Sequence, residues 1–213
     1  MQFLFDGAAD APATVLLAHG AGAAMDTEFM QIVAAELAAQ GLRVARFEFS
    51  YMAGRRTGGP KRPPPRVEKL FVEFRAAMAA LAPSGPLILA GKSMGGRVAS
   101  LIAAEDHAAG RIAGVLCLGY PFHPIGKPES LRTDHLAQMP APMLICQGSR
   151  DPFGTAAEVA GYALSPQITV QWLEDGDHDF KTRQKVTPLR QADHLRTTAT
   201  ATRAWLQAQG ILA

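Results

Sequence analysis

The sequence predicts an α/β fold: a mostly parallel central sheet of about six or seven strands with helices on both faces. Three observations predict it. Short apolar runs alternate with longer segments of helical periodicity along the chain. The runs are apolar throughout instead of alternating with polar residues, so both of their faces are buried, as in a parallel sheet. The composition, 48% hydrophobic and 19% charged over 213 residues, supplies a core for two covered faces and excludes intrinsic disorder. One domain, 1–213, accommodates this length.

Thr14–Ala18 (TVLLA) reads as the first strand and runs into His19-Gly20-Ala21-Gly22. Asp26 to Gln40 follows as a helix, because Phe29, Ile32, Val33 and Leu37 recur near helical spacing and Gly41 stands at the C′ position. Leu42–Phe49 (LRVARFEF) returns to a strand. Residues 50–66, rich in Gly, Pro, Arg and Lys, read as an irregular connection. Val67 to Leu81 is helical, with Val67, Leu70, Phe71, Phe74, Met78 and Leu81 on one face. Pro86–Ala90 (PLILA) is a buried strand, and Arg97 to Ala104 carries a helical pattern. Ile112–Leu118 (IAGVLCL), Pro142–Cys146 (PMLIC) and Ile168–Leu173 (ITVQWL) complete the strands, and helical stretches at 154–164 and 189–209 follow the last two. In such sheets ligands sit at the carboxyl ends of the strands, so a reactive residue just after a strand is well placed.

Charge and cysteine usage narrow the function classes. Twenty-one Lys and Arg against 19 Asp and Glu give +2, which argues against nucleic acid as the main partner. Two cysteines, Cys117 and Cys146, both in apolar runs, exclude a disulfide framework and fit a reducing cytoplasm. No clustered His and Cys ligands suggest a metal, and no cofactor is expected. The start, MQFLFDGAADAP, lacks the charged region and apolar core of a secretory signal, and no apolar run approaches the roughly 20 residues that span a bilayer. The expectation is a soluble cytoplasmic protein without a membrane partner; its oligomeric state is not readable.

Chemistry is concentrated around Ser93. Gly91-Lys92-Ser93-Met94-Gly95 fills G-x-S-x-G between a strand and a helix, the setting of a nucleophile elbow. The serine of such an elbow sits in a strained turn, and glycines two residues to either side let strand and helix approach. Gly91-Lys92-Ser93 also matches the end of a phosphate-binding P-loop, but that motif needs glycine where Pro86 stands. A nucleophilic serine needs a base and an orienting acid, in the chain order Ser, acid, His. Of the 6 histidines, His178 follows the strand ITVQWL in Glu174-Asp175-Gly176-Asp177-His178-Asp179. Asp151 follows the strand PMLIC in Gln147-Gly148-Ser149-Arg150-Asp151. Ser93 is therefore the candidate nucleophile, His178 the base and Asp151 the group that fixes the imidazole. The backbone N–H groups of Met94 and Ala21 are the candidate oxyanion hole. His19 reads as a residue that shapes its loop.

Taken together the chain resembles the α/β-hydrolase superfamily over nearly its full length, and most of all its small lidless branch, which is dienelactone-hydrolase-like. Within that branch the strings GKSMGGR, GYPFHPIGKP, QGSRDPFG and DGDHDF resemble a group related to the hydrolase-like domain of a chromatin acetyltransferase complex subunit. The resemblance implies the α/β-hydrolase fold and the triad Ser93, Asp151 and His178. It departs from dienelactone hydrolases in having serine where they carry a nucleophilic cysteine, so that activity does not transfer.

The substrate is read from loops. Only residues 119–141 separate the strands IAGVLCL and PMLIC, too few for a large helical lid, which favours a small or extended acyl group over a buried lipid. The strand-end loops hold Arg55, Arg56, Lys61, Arg62, Arg66, Lys92, Lys127, Arg132, Arg150, Lys181, Arg183 and Lys185, with fewer acids. That excess suggests a substrate bearing a carboxylate or phosphate, with His123, Arg55, Arg56 and Arg150 as candidate contacts. The expectation is a serine hydrolase acting on a small ester or thioester through an acyl-enzyme. Two alternatives stay open: a pseudo-hydrolase that only binds, and an acyltransferase using the same nucleophile.

Overall fold

The computed structural model describes residues 1–213 except Thr57, Arg62 and Ser84. The described residues form strands β1 (Phe3–Asp6), β2 (Thr14–Ala18), β3 (Arg43–Phe47), β4 (Leu87–Lys92), β5 (Gly114–Leu118), β6 (Met143–Gly148) and β7 (Ile168–Leu173). The helices are α1 (Glu28–Ala39), α2 (Ser50–Arg56), α3 (Val67–Ala80), α4 (Met94–Ala108), α5 (Ala156–Val159) and α6 (Gln191–Ala208). One seven-stranded sheet runs in the order β1-β3-β2-β4-β5-β6-β7. All neighbours are parallel except β1, which pairs antiparallel with β3.

Both faces of the central strands β2, β4, β5 and β6 are buried, the edge strands β1 and β7 are half-buried, and alternate residues of each strand serve the two faces. Leu16, Phe47, Leu89, Cys117 and Ile145 meet Leu70 and Phe74 of α3 and Val98 and Ile102 of α4. Val15, Leu17, Val44, Ile88, Ala90 and Leu144 meet Met30, Val33 and Leu37 of α1 and Leu195, Ala199 and Leu206 of α6. This explains the uninterrupted apolar runs. Each fully buried Leu or Phe stabilises the fold by about 1.5–3 kcal/mol.

The register aligns the strand ends. Ala18 lies opposite Gly91, Lys92 opposite Leu118, and Gln147 opposite Trp172. The loops after β2, β4, β5, β6 and β7 therefore open at one edge of the sheet. Residues between β5 and β6 form turns with no helix among them. Tyr120 and Phe122 there are buried, and the Tyr120 hydroxyl donates to the Arg132 carbonyl at 2.9 Å, so the segment packs against the core and makes no large lid.

Four local features differ from the sequence reading. β1 is a four-residue edge strand with a half-exposed Phe5, too short to carry a pattern. α2 lies inside the connection read as irregular; it has seven residues, and Gly54 masks its propensity. α4 begins at Met94 instead of Arg97, because its first turn contains two glycines that sequence preference reads as loop. α5 is a single turn: a Thr155–Glu158 capping box starts it, and the chain turns away at Gly161. No helix among the described residues is long and apolar enough to cross a membrane.

Candidate active site

Ser93 stands alone between the end of β4 and the start of α4. Its backbone has φ 52° and ψ −113°, a conformation that L-residues rarely adopt. The neighbouring glycines make the turn possible. A Cβ on Gly91 would lie 2.2 Å from the Gly95 carbonyl carbon, and one on Gly95 would lie 2.6 Å from the His19 carbonyl oxygen. Any side chain at either position would push the strand, the helix and the loop after β2 apart. The Ser93 amide is anchored to the Leu118 carbonyl at 3.0 Å, and the serine heads the 15-residue helix α4.

Asp151 and His178 come together from the loops after β6 and β7. Asp151 is fully buried, and its Oδ2 lies 2.8 Å from His178 Nδ1. Two further donors hold the carboxylate: the Phe153 amide at 2.9 Å and Gln147 Nε2 at 3.0 Å. A carboxylate at Nδ1 keeps the ring proton on that nitrogen and leaves Nε2 as the acceptor. The imidazole packs on the Phe153 ring at 4.4 Å between centroids. Its backbone is held by Lys92, whose Nζ donates to the His178 carbonyl at 2.7 Å and lies 3.5 Å from Asp179. Burial pulls the Lys92 ammonium below the usual lysine range, opposed by the Asp179 and Asp151 charges. Lys92 thus points away from the serine and into the loop that carries the histidine.

Gln147 ends an otherwise apolar strand and is completely buried. Besides Asp151 it donates to the carbonyls of Tyr120 and Gly154, each at 3.2 Å, and accepts from the Tyr120 amide at 2.7 Å. It connects the loops after β5 and β6 and fixes the acid between them. No sequence motif singles it out, although an amide at the end of a buried apolar strand is a signal that something must be bonded there.

The loop after β2 is shaped by two aromatic residues. His19 is buried; its Nε2 accepts from the Phe49 amide at 3.2 Å, so Nδ1 carries the proton and donates to the Gly20 carbonyl at 2.6 Å. Burial holds its pKa below the usual histidine value, opposed by the Gly20 bond and Glu48. The Tyr51 hydroxyl of α2 donates to the Ala21 carbonyl at 3.0 Å. These contacts leave the Ala21 and Met94 amides with no acceptor among the described residues.

Two cavities flank Ser93. One, of about 210 Å³, is bordered by Gly20, Ala21, Phe29, Lys92, Ser93 and His178. The other, of about 310 Å³, is bordered by Ala21, Pro64, Ser93, Met94, Arg97 and Arg132. The four candidate substrate contacts lie elsewhere. Arg56 is bound by Glu48 and Asp26, each at 2.7 Å, and borders a different cavity. Arg55 lies over the Tyr51 ring. Arg150 donates to the carbonyls of Asp175 and Lys181 and pairs with Asp175 and Asp177, so it braces the histidine loop. His123 is buried, bonded to the Pro124 carbonyl at 2.9 Å and 3.6 Å from Glu158. Arg62 falls outside the described residues. Acids that are distant in sequence thus neutralise several of the loop cations, while Arg97, four residues past Ser93, faces the cavity beside it.

A family model described as an alpha/beta hydrolase domain matches residues 11–207. The solved structures similar to this chain include an esterase domain from a Rhodothermus marinus protein, at 19% identity and TM-score 0.66, covering 96% of this chain and 91% of that one. A serine hydrolase without a lid from Xanthomonas campestris is 20% identical with TM-score 0.63, covering 96% and 85%. A dienelactone hydrolase from Anabaena variabilis is 20% identical with TM-score 0.66, covering 96% and 89%. At these identities the likeness is one of fold.

Proposed function

We propose, from the premise that this chain belongs to the alpha/beta hydrolase family, that it is a serine hydrolase cleaving a small carboxylic ester or thioester through an acyl-enzyme. The reading takes residues 1–213 as one catalytic domain. One observation carries it: a serine in a positive-φ turn at a helix N-terminus borders the same cavity as a histidine whose far nitrogen is bonded to a buried carboxylate. A serine serving only as a helix cap needs neither the strained turn nor the Asp–His pair. Fold alone does not assign an activity; these three side chains support it.

In the proposed cycle the Ser93 hydroxyl attacks the acyl carbon and passes its proton to His178 Nε2. Asp151 holds the ring and stabilises the imidazolium. The negative charge on the former carbonyl oxygen is met by the Ala21 and Met94 amides and the N-terminus of α4; a single such donor is typically worth about 3–4 kcal/mol. His178 then protonates the leaving alcohol or thiol as its bond to the acyl carbon breaks. Water attacks the acyl-enzyme, gives a proton to His178, and the free acid leaves as the serine recovers its own. Cavities of about 210 and 310 Å³ favour small substrates. Cys117 and Cys146 are buried free thiols, which supports a reducing cytoplasmic setting.

The test is labelling with a fluorophosphonate, read by intact mass on wild type and Ser93→Ala. A single adduct on wild type that is absent from the variant is expected, followed by turnover of short acyl esters or thioesters. Folded wild-type protein that takes no adduct overturns the reading.

A further inference from the structure

Arg97 and Arg132 face one cavity, and Ser93 is on its wall. Among the described residues neither guanidinium has a carboxylate within ion-pair distance, whereas Arg46, Arg56, Arg75, Arg111, Arg150 and Arg183 each have one. Arg97 Nε is sealed from water and has no hydrogen-bond partner among the described residues. The two cations feel one another: burial first, and then the charge on Arg97, lower the pKa of Arg132. Burial and Arg97 also push His135 down to about 4, so that ring is neutral near pH 7 and adds no charge. Two half-buried like charges with open donors are unfavourable by themselves. They are well suited to a planar anion, which a pair of guanidinium forks can hold through several charge-assisted bonds. The rest of the wall is largely apolar, with Pro64, Pro65, Val67, Leu70 and Pro121. It fits a hydrocarbon chain with a charge at its end.

The geometry also separates the two parts of a substrate. His178 borders the other cavity and not this one. The leaving group must receive its proton from His178, so it occupies the cavity that His178 borders. The acyl chain is left with the cavity of the two arginines.

We propose that Arg97 and Arg132 bind a carboxylate at the far end of a short acyl chain, so that the substrates of Ser93 are monoesters or monothioesters of dicarboxylic acids. This assignment rests on the serine-hydrolase reading above.

Two measurements test it. In the first, the ratio of kcat/KM for p-nitrophenyl hydrogen adipate to that for p-nitrophenyl heptanoate is compared in wild type, Arg97→Gln, Arg132→Gln and Arg97→Lys. The expected result is a wild-type preference for the anionic ester that falls about 10-fold or more in each Gln variant and is partly restored by Lys. A wild type without preference, or Gln variants with the wild-type ratio, overturns the proposal. In the second, Ser93→Ala is titrated calorimetrically with adipate and with inorganic phosphate, with and without each Gln substitution. Adipate binding that weakens about 10-fold on loss of either arginine supports the subsite. Equal adipate binding in all variants, or binding of phosphate but not adipate, overturns it. Circular dichroism establishes that each variant is folded, and Arg97→Ala and Arg132→Ala replace any Gln variant that is not. If Ser93 takes no fluorophosphonate, the hydrolase reading fails while the titration still judges the subsite.

Discussion

Gln147→Met removes the buried amide that ties the acid loop together while keeping nearly the same volume. The structure sets the size of the effect. Two backbone groups, the Tyr120 amide and the Gly154 carbonyl, lose the partner that Gln147 provides. The Tyr120 carbonyl keeps a bond from the Phe122 amide at 3.1 Å. Asp151 keeps Phe153 and His178 but loses one of its donors. Each orphaned buried group costs about 1–3 kcal/mol, so the variant should be less stable by about 2–6 kcal/mol. With a urea dependence of about 2 kcal/mol per molar, the unfolding midpoint should fall by about 1–3 M. Tryptophan fluorescence reads the transition, since Trp205 is buried under the sheet and Trp172 lies opposite Gln147. Where the variant remains folded, its kcat on a short ester should also fall, because Asp151 and the imidazole it holds are less well fixed. A midpoint shift below about 0.5 M at unchanged m would refute the reasoning, since that is less than one orphaned group costs.

Two further outcomes are expected. Lys92→Met keeps the apolar stem beside Phe29 and Phe180 but deletes the bond to the His178 carbonyl, so kcat should fall about 10- to 100-fold with KM little changed; equal kcat would show that Lys92 does not position the histidine. His135 is held at about 4 by burial and Arg97, against the weaker pull of Asp134, and its Nε2 lies 2.9 Å from the Ser100 hydroxyl. The unfolded chain takes up that proton near pH 6.5 and the folded chain only near pH 4, so this residue removes stability as pH falls through that window. His135→Gln should therefore lose less stability than wild type between pH 7 and 4.5 in urea titrations, and parallel pH curves would refute the assignment.

Much of this protein could be read before any fold was known. An apolar strand buried on both faces carries its signature in its own residues: β2 and β5 sit within runs visible in the sequence, and β4 and β6 extend only two residues past theirs. The candidate site was legible for a related reason. A parallel sheet brings its strand ends to one edge, so the proposed grouping of Ser93, Asp151 and His178, each just past a strand, needs only the chain order. β1 and α2 escaped because they are short and their stability comes from neighbours: Phe3 lies opposite Phe47, and Ser50 is held by Glu73. The same dependence on distant partners separated the arginines. Arg55, Arg56 and Arg150 looked available because charge excess is counted locally, yet Glu48, Asp26, Asp175 and Asp177 reach Arg56 and Arg150 from other elements. Arg97 opens a helical pattern in the sequence, and only the packing of the loop after β5 against α4 sets Arg132 beside it. Local pattern determines which segments are strands and where reactive groups stand along them. Which charges are neutralised, and which are left facing a cavity, depends on residues far apart in the chain, and the folded packing alone fixes those distances.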